Sequence, residues 1–169
     1  EVVKEKISFS RKLTVAVDSG NGTGGLVAPK LIQDLGCEVV ELFSEPDGNF
    51  PNHHPDPTVE ANLADLRALV AEKNLDFGVA FDGDGDRLIV CDEKGQIVDG
   101  DHVMAICAKD LLKQRKLKKK TLVATVMSNM GLEVAVEQMG GRVQMATQPG
   151  EGTRISLRIQ QRIVVNQVV

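Results

Sequence analysis

Three aspartates alternate with glycines in Asp82-Gly83-Asp84-Gly85-Asp86, and Arg87 follows directly. Three carboxylates this close repel one another at neutral pH unless something offsets their charge. A bound dication does so, and hard oxygen ligands select Mg²⁺, Mn²⁺ or Ca²⁺ over softer metals. The intervening glycines let the backbone turn sharply enough for alternate carboxylates to face one point. The planar fork of Arg87, beside such a cation, suits a pair of phosphate oxygens. Asp82, Asp84 and Asp86 are therefore the candidate metal ligands and Arg87 the candidate phosphate contact.

Two other readings of the loop stay open. Counted as an EF-hand from Asp82, Glu93 falls at position 12 as required, but Arg87 stands at position 6, where glycine belongs, and the flanks read as strands. The loop can also be a solvated acidic turn, since Asp-Gly pairs are common in hairpins.

A second glycine-rich stretch, Asp18-Ser19-Gly20-Asn21-Gly22-Thr23-Gly24-Gly25, satisfies G-x-G-x-x-G, with Glu41 near the distance of a ribose contact. It reads as a tight turn packing helix on strand, as a phosphate contact, or as a dinucleotide site. His53 and His54 are adjacent in a proline-rich stretch. Neighbours in extended chain point apart, so a structural or interface role is expected over zinc.

The elements that must position these residues follow from periodicity. Leu13–Val17 reads as a buried strand, a helix carries Val27, Leu31, Ile32 and Leu35, and Gly36 ends it. Val39–Phe43 is the next strand, parallel to the first as a βαβ unit requires. After the 44–57 loop, Pro57 or Thr58 starts a helix with Val59, Leu63, Leu66, Leu69 and Val70 as its buried stripe. Strands at Asp76–Phe81 and Arg87–Cys91 flank the acidic loop, and a turn at Glu93–Gln96 leads to a short strand at Ile97-Val98. Asp101 is placed to cap a helix lined by Val103, Met104, Ile106, Cys107, Leu111 and Leu112. A strand at Thr121–Val126, a helix capped by Ser128 or Asn129, and a strand at Arg142–Ala146 then repeat the first pattern. Ile155, Leu157 and Ile159 alternate with polar residues, so the tail reads as a hairpin ending in 163–169. The fold class is α/β: a three-layer mixed sheet, mainly parallel and flanked by helices, with a smaller C-terminal α/β piece ending in a β-hairpin. The domain boundary is expected near 113–120, dividing a metal-binding domain (1–115) from a partial one (116–169).

Several function classes are disfavoured. The 169-residue chain carries a net charge of −4 and no Trp or Tyr, so neither a basic track nor a stacking platform for nucleic acid is evident. Lys116–Lys120 is read as a solvated segment. The three cysteines, Cys37, Cys91 and Cys107, show no metal spacing and are read as buried free thiols. No apolar run has membrane length and no signal peptide opens the chain, so a cytoplasmic location is expected. The opening Glu1 leads to the expectation of a cut piece of something longer.

The string DGDGDR is identical to the metal loop of the α-D-phosphohexomutases. Asp47-Gly48-Asn49-Phe50-Pro51-Asn52-His53-His54-Pro55-Asp56-Pro57 resembles the corresponding stretch of their phosphomannomutase/phosphoglucomutase branch, and Asp18-Ser19-Gly20-Asn21-Gly22 resembles that family's strand-to-helix turn. Thr125–Leu132 is more similar to the phosphoglucosamine mutases. The resemblance spans about residues 10–143 and implies the family's metal-binding second domain plus the start of its third. It further implies Mg²⁺ on Asp82, Asp84 and Asp86, phosphate at Arg87, and phosphoryl transfer to and from a hexose phosphate through a phosphoserine. No Thr-Ala-Ser-His-Asn-Pro-like serine loop and no Gly-Glu-x-Ser-Gly-His sugar loop is present, so no catalytic residue is assigned in this chain. The partners implied are a hexose phosphate and the missing first and fourth domains, with self-association through surfaces those domains leave bare. Past Val143 the family's Lys-x-Gly segment is replaced by Met145–Arg154, and the tail resembles the closing hairpin of histidine-kinase ATP domains without their nucleotide boxes. The expectation is an isolated piece, inactive alone, that is truncated, recombined or designed. A dinucleotide-binding domain and a non-catalytic scaffold are the alternatives.

Overall fold

The computed structural model describes residues 9–145. Its first unit is a five-stranded mixed sheet in the order β2-β1-β3-β4-β5. β1 (Thr14–Asp18) lies parallel to both β2 (Glu38–Leu42) and β3 (Phe77–Phe81). β4 (Leu88–Cys91) returns antiparallel to β3, and β5 (Ile97–Val98) antiparallel to β4. Helix α1 (Ala28–Asp34) connects β1 to β2, and α2 (Ala64–Lys73) connects β2 to β3.

The alternation of side chains along the central strands builds two cores, one on each face. Val15, Val17 and Val79 pack with Ala28 and Cys37 on the α1 side. Ala16 and Ala80 pack with Leu63, Leu66, Val70 and Cys91 on the α2 side. This is the three-layer arrangement expected from the sequence. Chain order reverses beside β1, because one crossover leads outward to β2 and the next returns to β3. Open α/β sheets place their ligand crevices beyond the carboxyl ends of strands at such a reversal. The glycine-rich turn leaves β1 there and the acidic loop leaves β3 there.

The second unit contains α3 (Gly100–Lys113), β6 (Thr121–Ala124), α4 (Met130–Gln138) and β7 (Arg142–Met145), with β6 and β7 parallel. Its core joins Met104 and Ala108 to Ala124, Leu132 and Val136. The two compact units part between Val98 and Asp99, not at 115/116, because α3 shares this core with α4.

Several local expectations shift. Thr23–Leu26 is a single 3₁₀ turn before α1, and Leu26 and Val27 stand 69% and 63% exposed rather than facing the core. Glu60–Leu63 is likewise a 3₁₀ turn before α2, and Val59 is exposed. Asp99, not Asp101, caps α3, accepting from the His102 N–H, while Asp101 accepts from the Asn129 N–H at 2.8 Å. Ile106 and Cys107 point to solvent. Asn129 caps α4. The strand end expected at Ala146 and the hairpin expected through Ile155, Leu157, Ile159 and 163–169 lie outside the described residues.

Candidate metal centre

Asp82 closes β3 and is buried; Asp84 and Asp86 lie on the exposed rim of the loop. One carboxylate oxygen from each residue lies within 4.8 Å of the other two. Oxygens around Mg²⁺ stand about 3 Å apart at adjacent corners and about 4.2 Å at opposite ones, and slightly wider around Ca²⁺. The three oxygens are thus already grouped on the scale of one coordination sphere, so the cluster could hold a metal ion.

Asp82 is fixed from several directions. Its Oδ1 accepts from the backbone N–H groups of Gly85 at 2.9 Å and Arg87 at 3.1 Å, and its Oδ2 accepts from Arg87 Nε at 2.7 Å. Burial pushes the Asp82 carboxyl up, but the hydrogen bonds from the Arg87 backbone and side chain outweigh it, and the group sits below its ordinary value. Asp86 is held above its ordinary value, first by its hydrogen bond to Asp82 and then by the charge of Asp84. The rise reflects in part the mutual repulsion of the three carboxylates, which a bound cation would offset.

Arg87 is oriented by two carboxylates, Asp82 and, through Nη1 at 3.2 Å, Asp56. Half of its side chain remains exposed. The role of Asp56 was not legible from spacing, though it lies within the Pro55-Asp56-Pro57 stretch of the resemblance.

The glycine-rich turn supports the acidic loop. Thr23 N–H and Oγ1–H both donate to the Gly83 carbonyl, at 3.0 and 3.2 Å. A Cβ on Gly22 would come within 2.7 Å of Gly83 O, and one on Gly25 within 2.0 Å of Ser44 O. The space that a pyrophosphate would need beside Gly22 is filled by Gly83. The turn's glycines admit backbone of the loops that follow β3 and β2, so the close approach is loop on loop and not the helix-on-strand packing read from the sequence. From the other side, Gly83 N–H donates to Pro55 O at 3.2 Å.

The two histidines do diverge. His54 is exposed, whereas His53 turns inward to the buried Asp18, with Nε2 to Oδ2 at 3.1 Å. Among the described residues, the only metal-compatible grouping of His, Cys, Asp or Glu is Asp82, Asp84 and Asp86. No described helix is long and apolar enough to cross a membrane.

Comparison with known proteins gives a consistent picture. Residues 2–95 match the family model "Phosphoglucomutase/phosphomannomutase, alpha/beta/alpha domain II", and residues 99–148 match the model of domain III. A phosphoglucosamine mutase of Desulfotalea psychrophila is 50% identical over 155 residues, covering 86% of this chain and 33% of that protein. A phosphomannomutase/phosphoglucomutase of Pseudomonas syringae pv. tomato is 46% identical over 143 residues, covering 85% and 30%. The crystal structure of a phosphoglucomutase/phosphomannomutase family protein from Burkholderia thailandensis superposes with a TM-score of 0.78 at 39% identity, covering 86% of this chain and 31% of that one. The chain spans about a third of the length of these relatives.

Proposed function

The chain belongs to the phosphoglucomutase/phosphomannomutase family, and on that premise we propose that it is the metal-holding part of a phosphohexomutase, with Mg²⁺ on Asp82, Asp84 and Asp86. The observation that carries this is the grouping of three carboxylate oxygens within 4.8 Å at the end of a central strand, beside an arginine already held in place. When bound there, a hard dication supplies positive charge that stabilises a phosphoryl group during transfer.

The chain's own residues have separable tasks. Asp82 is the anchored ligand, since backbone and guanidinium donors fix it before any ion arrives. Asp84 and Asp86 close the cage from the rim. Arg87, braced by Asp56 and Asp82, presents the rest of its fork to a phosphate oxygen without the entropy loss of a free arginine. The phosphoserine and the sugar-binding loop belong to parts of the enzyme outside this chain. We therefore assign it hexose phosphate transfer only as part of the whole enzyme, and no turnover alone.

The test is thermal melting with and without Mg²⁺. An ion that binds the native state raises the melting temperature by mass action. The triple change Asp82→Asn, Asp84→Asn, Asp86→Asn is expected to abolish that rise. An equal rise in the triple variant would overturn the assignment.

A further inference from the structure

His53 lies outside the acidic cluster, yet the contacts that support the cluster run through its neighbours. Pro55 O accepts from Gly83 N–H, and the Pro55 ring would lie 3.4 Å from a Cβ on Gly83. Asp56 holds Arg87 at 3.2 Å. Asn52 donates to Asn21 Oδ1 at 2.7 Å, which ties the same segment to the glycine-rich turn. At its centre the His53 ring occupies the space over Gly20, 3.3 Å from where a Cβ would stand, and meets the Phe43 ring edge-on at 5.4 Å between centroids.

The hydrogen bonds of this ring fix how many protons it shares. Nδ1 lies 2.9 Å from the His54 carbonyl, which can only accept, so Nδ1 carries a hydrogen. Nε2 lies 3.1 Å from Asp18 Oδ2. That contact needs one more proton, placed on Nε2 opposite a carboxylate or on Asp18 opposite a neutral ring. Asp18 is fully buried and also accepts from the Gly20 N–H at 2.8 Å. The charge that bears on Asp18 from α2 is that of Asp65, and His54 and Asp56 follow His53 in the chain. Among the described residues, no other cation is hydrogen-bonded or ion-paired to Asp18.

We propose that His53 is a positioning residue for the acidic loop: through the single proton it shares with buried Asp18, it pins the 52–56 segment on which Gly83 and Arg87 rest, and so sets how tightly the loop takes up a divalent cation. Without that proton an acceptor would face an acceptor at one end of the ring. The segment then loosens and cation affinity falls. This inference rests on the proposed cation site.

The test uses the 169-residue chain and Mn²⁺ alone as probe, with free Mn²⁺ read by electron paramagnetic resonance between about pH 6 and about pH 9, above the range where ordinary carboxylates titrate. The wild type is expected to bind progressively less tightly toward the alkaline end. His53→Ala is expected to weaken binding about tenfold at neutral pH, the lower end of what outer partners of metal ligands contribute. His53→Gln, whose amide donates without a titrating proton, and Asp18→Asn, whose amide donates to a neutral ring, are expected to keep most of the affinity and flatten the profile. A histidine that merely stabilised the fold would lower the melting temperature and leave the slope of affinity against pH alike in wild type and His53→Gln. That result, or a flat wild-type profile, overturns the proposal. If His53→Ala fails to fold, the wild-type and His53→Gln profiles decide alone. If the wild type binds no Mn²⁺ at all, the cation site itself is refuted and not only the role of His53.

Discussion

Replacing Gly22 by alanine isolates one contact on which the acidic loop depends. Gly22 has φ −85° and ψ 178°, a conformation any residue adopts, so the substitution adds no backbone strain. What it adds is one methyl group, 2.7 Å from Gly83 O, 2.9 Å from its Cα and 3.0 Å from its carbonyl carbon. Comfortable contact lies near 3.5 Å, so Gly83 must retreat by ~0.5–0.8 Å. Its atoms are backbone and cannot swing aside as a flexible side chain would. Overpacking of this kind costs about 1–3 kcal/mol, and weakening the Thr23-to-Gly83 hydrogen bond adds about 1 kcal/mol. A total of ~2–4 kcal/mol in a unit of this size lowers the melting temperature by roughly 10–25 °C. Gly48→Ala is the control, since nothing lies within 4 Å of a Cβ there and the residue does not need positive φ. That variant is expected to match the wild type or gain about 0.4–1 kcal/mol. Far-ultraviolet circular dichroism is the suitable readout, because the chain has no Trp or Tyr to report by fluorescence. Gly83 sits between Asp82 and Asp84, so the Mg²⁺-dependent rise in melting temperature should also shrink in Gly22→Ala. If Gly22→Ala melted within about 2 °C of Gly48→Ala, the docking of the two loops would not be the constraint described here.

The Arg11 guanidinium, hydrogen-bonded to Asp76, and then the Thr14 N–H hold the Asp76 carboxyl well below the usual carboxylate range. A depressed folded value gives stability that is present above the unfolded value near 3.9 and lost as pH falls through the folded one. Asp76→Asn should therefore melt lower than wild type at neutral pH, with the gap closing in acid; a gap constant down to about pH 2 would contradict this. Cys107 is exposed while Cys37 and Cys91 are buried, with both thiols pushed up by burial, so a thiol reagent should label one cysteine quickly and the others only on unfolding. Fast labelling of two would show that one of the buried sites opens readily.

The sequence made the strands legible because Thr14–Asp18 and Phe77–Phe81 are nearly continuous apolar runs with turn residues after them. Helix faces were less legible. Val27 and Leu31 fall at helical spacing but stand 63% and 41% exposed, and spacing alone cannot say which side a short helix turns to its sheet. The boundary at 98/99 was hidden for a related reason: the core partners of Met104 and Ala108 are Leu132 and Val136, far along the chain. At the candidate site, Asp82, Asp84, Asp86 and Arg87 could be grouped from sequence because they are consecutive in one loop. Asp18 with Gly22, and His53 with Asp56, could not be joined to that loop, since nothing in the sequence relates their two segments to it and only the fold brings them to the carboxyl ends of β1 and β3. His53 turns inward onto Asp18, a contact that its adjacency to His54 does not indicate.

The cluster belongs to a single tight hairpin, closed where Phe81 pairs with Leu88. Closing so short a contour costs little chain entropy and requires neither long crossover of the sheet. The intervals among the carboxylate oxygens are accordingly a local property, insulated from fraying at the distant β2 edge. Their footing is different. It is borrowed from two segments remote in sequence, through the contacts that hold Gly83 and Arg87.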